Sequence, residues 1–402
     1  MRITVEMKIA IIGTGIAGLG AAHALGPLHD VELFESAERA GGHAHTVTHD
    51  SLELDTGFIV HNEENYPELT RLFRELGVPT QSSEMSFAMS CGCGLEWSSK
   101  RPWRAGPRLL HEILRFLRTA GTADTDGKSL DRFLRDECYS ESFRWHYLVP
   151  MTSALWSMAP QEALEFPASY GIEFFENHSM LGLRRSRWRT VTGGSHRYVQ
   201  ALLERLEAPV HLGTPVSSLR RTDAGVVLRA GDGATRSFDA AVVATSAPRA
   251  LALLEDPSDA EREILSAFES TPNETVLHTD ATLLPERESN RSSWNYRSPG
   301  CGVHADRPSI TYSLNRLQRL DAGREYCVTL NRTSDIAPSA VVRVLEYEHP
   351  KVTFASLAAA ARARAHGVER LTAFAGAWQG NGFHEDGLVS GLGAAAAFGV
   401  SW

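Results

Sequence analysis

Gly13, Gly15 and Gly18 stand in the pattern GxGxxG, and Glu35 closes the next apolar run. Those residue types at that spacing suit the binding of a dinucleotide. Gly13 permits a tight turn, Gly15 lets the backbone approach a pyrophosphate, and Gly18 lets helix and strand pack closely. Phosphates then rest on the free N–H groups of a helix N-terminus. Glu35 is placed to accept hydrogen bonds from ribose hydroxyls. The fingerprint by itself does not separate NAD from FAD.

The elements that must position these residues are readable around them. Residues 8–12 are a short apolar run, as expected of a strand buried on both faces. Residues 18–25 read as a small-residue helix and residues 31–34 as a second strand, together a βαβ opening. Residues 67–77 predict an amphipathic helix stopped by Gly77, and residues 84–98 a hairpin around Gly92 and Gly94. From 129 to about 190 the pattern is helical and rich in aromatics. Strands return at 210–212, 216–220, 226–229 and 237–245, and again between 274 and 332. The final segment, 371–402, reads as a strand, a Gly-rich turn and an Ala-rich helix. No internal repeat or low-complexity linker divides the chain. The expected fold class is α/β: a Rossmann-type cofactor domain (1–83, 190–272 and 365–402) interleaved with an α+β substrate domain (84–189 and 273–364).

Composition narrows the function classes. The 402 residues are 43% hydrophobic and 22% charged, which suits an ordinary folded protein. A formal net charge of -9 argues against a nucleic-acid partner, which calls for a basic surface. The cysteines Cys91, Cys93, Cys138, Cys301 and Cys327 are scattered and odd in number, a poor disulfide framework. Cys91 and Cys93 are the one close pair; with no second pair at ligand spacing, they read as small residues at a hairpin tip, and no metal site is expected. No apolar run reaches membrane-spanning length, and residues 1–8 carry charges of both signs and run straight into a strand. A cytoplasmic location is expected, possible contact with the inner membrane face included.

Beyond the fingerprint, Arg39, Gly41 and Gly42, then His43-Ala-His45-Thr46, resemble the stretch that follows it in the FAD-dependent amine-oxidase superfamily. Asp55-Thr-Gly57-Phe58, Pro215-Val216, Phe374-Ala-Gly376-Ala-Trp378 and Glu385-Asp386-Gly387-Leu-Val-Ser390-Gly391 resemble later motifs of the same superfamily. The resemblance implies non-covalent FAD, a Gly41-Gly42 turn beside its phosphates, Val216 against the adenine, and Gly376, Asp386 and Gly387 near the ribityl chain and flavin. Two departures stand out: Ala377 replaces the usual acidic residue, and His43 a usual Arg or Lys. Longer stretches, among them Phe174-Phe-Glu-Asn177-His178, Ser293-Trp-Asn-Tyr296 and Gly382-Phe-His384, look like a bacterial family of NAD/FAD-binding oxidoreductases, often encoded beside cyclopropane-fatty-acid-synthase-like methyltransferases.

Alignment to the superfamily pattern puts His384 at a position facing the flavin and His278 near the strand position that often carries a Lys. Either histidine suits proton transfer near neutral pH. Glu385 would orient His384 or bind cofactor hydroxyls. Trp156, Trp294, Tyr296, Tyr312 and Trp378, with Phe174 and Phe175, are candidates to line a substrate pocket. No second GxGxxG follows, so the organic substrate is the expected electron donor and oxygen or another acceptor the oxidant. The expected activity is hydride removal from a hydrophobic substrate, a modified fatty acyl chain by family context. Amine oxidation, double-bond isomerisation and a purely structural flavin are the alternatives. Arg104, Arg108, His111, Arg115 and Arg118 recur at helical steps, opposite Leu110, Ile113, Leu114 and Leu117. That face reads as solvated or as a contact with anionic lipid headgroups.

Overall fold

The computed structural model describes residues 6–181, 186–302 and 307–402. Its first sheet has the strand order Val210–His211, Asp30–Phe34, Lys8–Ile12, Ala240–Val243, Thr372–Phe374, Val368–Glu369. All neighbours are parallel except the final pair. Ile9, Ala10 and Ile11 are fully enclosed, which is why the central strand reads as a continuous apolar run. The helix Ile16–Leu25 follows the glycine fingerprint and is buried on every side. A helix apolar all round must have cover on both faces. The sheet covers one, and the last helix, His384–Ala397, covers the other.

Small residues set that second contact. A Cβ on Gly387 would lie 2.7 Å from Ile16 Cγ2, one on Gly391 2.1 Å from Ala17 O, and one on Gly20 2.6 Å from Leu388 Cδ1. The strands that lead into the two helices, Lys8–Ile12 and Thr372–Phe374, run the same way in the sheet, which makes the helices parallel. Their two N-termini therefore open at the same end of the fold, beside the carboxyl ends of the parallel strands, where α/β sheets bind ligands.

The second sheet runs Val341–Pro350, Ser270–His278, Cys327–Leu330, Ile310–Ser313, Trp294–Ser298, Phe87–Cys91, Glu96–Ser98. Helices between Pro107 and Asn177 pack against it through Phe116, Phe133, Phe143, Trp156 and Phe175. The architecture is that of a two-domain α/β protein, a mostly parallel sheet beside a larger mixed one.

Several elements differ from their sequence pattern. The run over 237–245 divides in two: Thr235–Phe238 closes a three-stranded sheet, and Ala240–Val243 enters the parallel one. All but the last two residues of the helix Phe354–His366 fall in the segment assigned to the substrate side, yet Ala359 and Ala360 belong with Ala10 and Val243 to the cofactor-side core. The helix Pro107–Thr119 buries Leu109, Ile113 and Phe116, while Leu114 is 40% exposed. Phe116 chooses that arc because five aromatic rings, Phe133, Tyr139, Phe143, Tyr147 and Phe175, surround it. Arg115 leaves the basic face. Its guanidinium lies 3.8 Å from the centre of the Tyr139 ring and donates to Glu137 O.

Candidate active site

The cofactor cradle is built from the glycines upward. Gly13 has φ +102°, and a Cβ there would sit 2.6 Å from Ala244 O. A Cβ on Gly18 would fall 1.9 Å from Gly13 O, so the turn and helix close on each other without room for a side chain. Gly15 is different: its Cβ would meet nothing within 4 Å. The space is reserved for something other than protein. The helix beginning at Ile16 has no side-chain cap and no acidic residue in its first turn, which suits an anion at its N-terminus.

Arg39, Gly41 and Gly42 form the facing wall. Gly41 donates to Thr14 O, and Arg39 donates to Gly42 O at 2.7 Å, fastening the turn from behind. A Cβ on Gly42 would lie 3.0 Å from the Gly15 Cα, which shows how near this turn comes to the fingerprint. Glu35 accepts from Thr14 N and Oγ1 on one side and from Ala37 N on the other. Thr214 N donates to the Glu35 carbonyl, which brings the segment leading to Pro215 and Val216 to the end of the same strand. Gly376 donates to Ser390 Oγ, and Asp386 accepts from Phe383 N at 2.9 Å, holding the turn into the last helix. Open space at Gly15, two converging helix N-termini and an acidic residue at the strand end together fit FAD.

A set of histidines lies between the two sheets. His43 is surrounded by protein yet keeps much of its surface accessible, so that surface faces an internal cleft. His349 and His384 are likewise enclosed by protein and stay partly accessible. His43 stacks obliquely on Tyr347 at 5.2 Å and on His349 at 5.7 Å. Tyr347 joins His45 Nδ1 at 2.9 Å and Thr56 Oγ1 at 2.7 Å. His384 stacks flat on Phe58 with centroids 3.9 Å apart, and its Nε2 lies 2.6 Å from Tyr198 Oη. Burial lowers the pKa of His384 to about 3, helped by His43 and His61, and that of His349 to about 3. Burial first, then the Arg39 charge, lowers His43 and takes His45 to about 4. All four imidazoles are therefore neutral near pH 7, each with one ring nitrogen as donor and the other as acceptor. Burial also keeps the Tyr198 phenol neutral, and its oxygen can accept from His384 Nε2–H, which leaves Nδ1 as the basic nitrogen.

Other candidate residues go elsewhere. His278 is fully buried in the second sheet, with Nε2 at 2.7 Å from Thr329 Oγ1 and Nδ1 accepting from Asp280 N. It is a hydrogen-bonded structural histidine, because both ring nitrogens are committed. Glu385 neither orients His384 nor faces the Gly15 space: its two oxygens accept from Glu68 N and Leu69 N, capping the helix Pro67–Glu75. Trp378 is buried in the cofactor-side core against Phe268, and its indole N–H donates to Thr245 O. It is a packing wedge, and Gly376 leaves room for it, since a Cβ there would lie 2.2 Å from Trp378 Nε1.

The remaining aromatics do gather. Trp294 and Tyr312 face each other across adjacent strands at 5.2 Å and stay partly accessible. Tyr296 is buried beside them on the same strand. Trp156 packs on Phe174 at 4.8 Å, and Phe174 on Phe383 at 5.0 Å, which places this apolar layer next to His384. Residues not singled out from sequence complete the polar side. Asn273 donates to His349 Nδ1 at 2.9 Å and accepts from Asn331 at 2.7 Å. Their only sequence signal is a polar residue inside a buried strand.

Residues 16–292 match the flavin containing amine oxidoreductases. No curated protein matches the chain in sequence. Among solved structures, a conjugated-linoleic-acid-producing fatty acid isomerase from P. acnes superposes with a TM-score of 0.70 at 17% identity, covering 97% of this chain and 98% of the other. Cyclohexylamine oxidase from Brevibacterium oxydans gives 0.69 at 16% identity over 98% of both chains. A putrescine oxidase redesigned in its cofactor binding gives 0.69 at 15% identity, again over 98% of both. With the fingerprint, the Gly41-Gly42 turn and the converging helices in place, the chain belongs to the flavin containing amine oxidoreductase family and is an FAD-dependent oxidoreductase.

Proposed function

We propose that the enzyme removes hydride from a hydrophobic organic substrate, and that the substrate class is a modified fatty acyl chain. One observation carries the reading: an apolar aromatic layer of Trp294, Tyr312, Phe174 and Phe383 runs up to neutral histidines. Bound FAD supplies the hydride acceptor, and oxygen or another acceptor takes the electrons. The chain's own residues exclude water, orient the apolar substrate and hold a proton. His384 Nδ1, with the Nε2–H held on the Tyr198 hydroxyl, and His43, beside Arg39 and Tyr347, are the groups placed to take that proton.

The test is anaerobic. Fatty acyl lipids and free amines are added in turn to the purified yellow protein, and flavin absorbance is followed. Bleaching by a lipid is expected; bleaching by an amine and by no lipid overturns the substrate class. His384→Ala is expected to slow flavin reduction by about 10²-fold or more with the flavin retained. An unchanged rate removes His384 from the mechanism.

Peripheral contact with an anionic lipid surface is the companion proposal. Trp103 is 62% exposed and Leu114 40% exposed, with Arg108, His111 and Arg118 exposed on the same helical segment. An apolar tip ringed by basic groups suits a headgroup layer. No helix among the described residues is long and apolar enough to cross a membrane. Co-sedimentation with phosphatidylglycerol vesicles, lost in Trp103→Ala and in high salt, is the expected outcome; equal recovery with neutral vesicles rejects it.

A further inference from the structure

Cys91, Cys93, His146 and Cys301 come together in the second domain. Their ligand atoms all lie within 4.8 Å of one another. Cys91 Sγ is 3.9 Å from Cys301 Sγ, Cys93 Sγ is 3.8 Å from His146 Nε2, and Cys301 Sγ is 3.2 Å from the same nitrogen. In a tetrahedral zinc site, bonds of about 2.3 Å to sulfur and about 2.0 Å to nitrogen place neighbouring ligand atoms roughly 3.5–3.8 Å apart. The spacing is thus that of a coordination shell, and it is longer than the ~2 Å of a disulfide. The absence of a second Cys pair along the chain, which argued against a metal, is made good by residues from two other segments.

We propose that these four residues form a structural zinc site of the Cys3His type. Three separate elements supply the ligands. Cys91 and Cys93 flank the hairpin tip after the Phe87–Cys91 strand. Cys301 follows the Trp294–Ser298 strand, which pairs with the hairpin through Ser298 and Cys91. His146 stands in the π-helical turn Arg144–Leu148. Such turns recur where a side chain is re-aimed for function. The other ring nitrogen of His146 lies 3.3 Å from Ser142 Oγ, and the His146 carbonyl accepts from Trp97 Nε1, so Nε2 is held towards the thiols. A hydrogen-bonded second nitrogen is what a metal-ligating histidine shows. Cys91 and His146 are buried, while Cys93 and Cys301 reach the surface, which leaves an entry path.

Binding releases three thiol protons to solvent and transfers no electrons: three thiolates, one neutral imidazole and one Zn2+ remain. The metal would tie hairpin, loop and helix together about 13 Å along the strand pair from Trp294, because Ser298 and Cys91 stand at the opposite end of that pair from Trp294 and Phe87. The site is therefore a staple of the substrate side, apart from the proton-handling histidines.

Metal analysis of the full-length flavoprotein tests this. About one zinc per chain is expected, retained in Cys138→Ser, whose cysteine stands outside the set, and lost in Cys93→Ser and Cys301→Ser. Flavin absorbance reports that these variants are folded. Should either fail to fold, the parent protein decides: chelation exposes three further thiols to a thiol reagent, and zinc protects them again. Cobalt in place of zinc should give thiolate charge-transfer bands and tetrahedral ligand-field bands. Protein that holds no zinc and takes up none when reduced and titrated, or a Cys91–Cys301 disulfide as the resting state, overturns the assignment.

Discussion

Two glycines of one motif do opposite things. Gly18 is small because protein fills its space, and Gly15 because protein leaves its space open. Gly18→Ala is therefore expected to lower stability by about 3 kcal/mol or to prevent folding, since the contacting atom is backbone and cannot yield. Gly15→Val is expected to fold with an apo melting temperature near the parent's and to come out colourless. Flavin content and thermal melts of the two variants check this; a yellow Gly15→Val removes the pyrophosphate from that space. Tyr198→Phe is the corresponding test at the histidine. It leaves His384 stacked on Phe58 but strips its 2.6 Å partner, at a cost of about 1–3 kcal/mol for a buried nitrogen left unpaired. The glycines were legible in the sequence because a tight turn and a close approach are local demands. The pairing of His45 with Tyr347 was not, because those residues are 302 positions apart and Tyr347 carries no motif. His278 shows the reverse error: a histidine on a strand looks the same in sequence whether it faces a cleft or Thr329.

At the scale of elements, the parallel pairing of the first and last helices does most of the positioning. Each brings the positive end of its dipole to the same cleft, where an anionic cofactor is favoured. The contact depends on Gly391 lying against Ala17 O. Gly391→Leu is expected to push the helices apart, lowering both melting temperature and flavin occupancy, whereas Gly393→Leu, at a position with no atom within 4 Å, should change neither greatly. Equal behaviour of the two variants would show that the interhelical distance does not hold the flavin. Glu385 links this pair to a third helix by capping Pro67–Glu75 from 316 residues away. That cap explains why an acidic residue beside a candidate catalytic histidine was misassigned: its carboxylate looks available in sequence and is fully used in space. The helical periods and apolar strands were readable because their burial repeats along the chain. The division of residues 237–245 between two sheets was not, since only Asp239 separates the two strands and the partners of the second lie far away along the chain.

For the whole molecule, the buried histidines make acid sensitivity a consequence of the fold. Burial takes His45, His61, His178 and His278 to about 4, and His349 and His384 to about 3. In the unfolded chain each would titrate near 6.5. Between pH 6.5 and 4 the unfolded state therefore binds protons that the folded state refuses, and stability falls as pH falls. Asp55 and Glu385 act in the opposite sense. Burial raises them to about 6 and about 7, so the folded state takes up their protons first and gains stability on acidification. Six histidines outweigh two carboxylates, and the net slope is set by the histidines. The melting temperature of the FAD-saturated protein should be flat above pH 7 and drop by several degrees between pH 6.5 and 5. His278→Gln offers the control. Its side chain is buried against Thr329 away from the histidines of the cleft, so the substitution removes one titrating group without touching that cluster. The variant should show a shallower loss over the same window, whatever its absolute stability. An unchanged slope would mean that His278 ionises in the fold as it does in the open chain, and that burial in the second sheet does not hold it neutral.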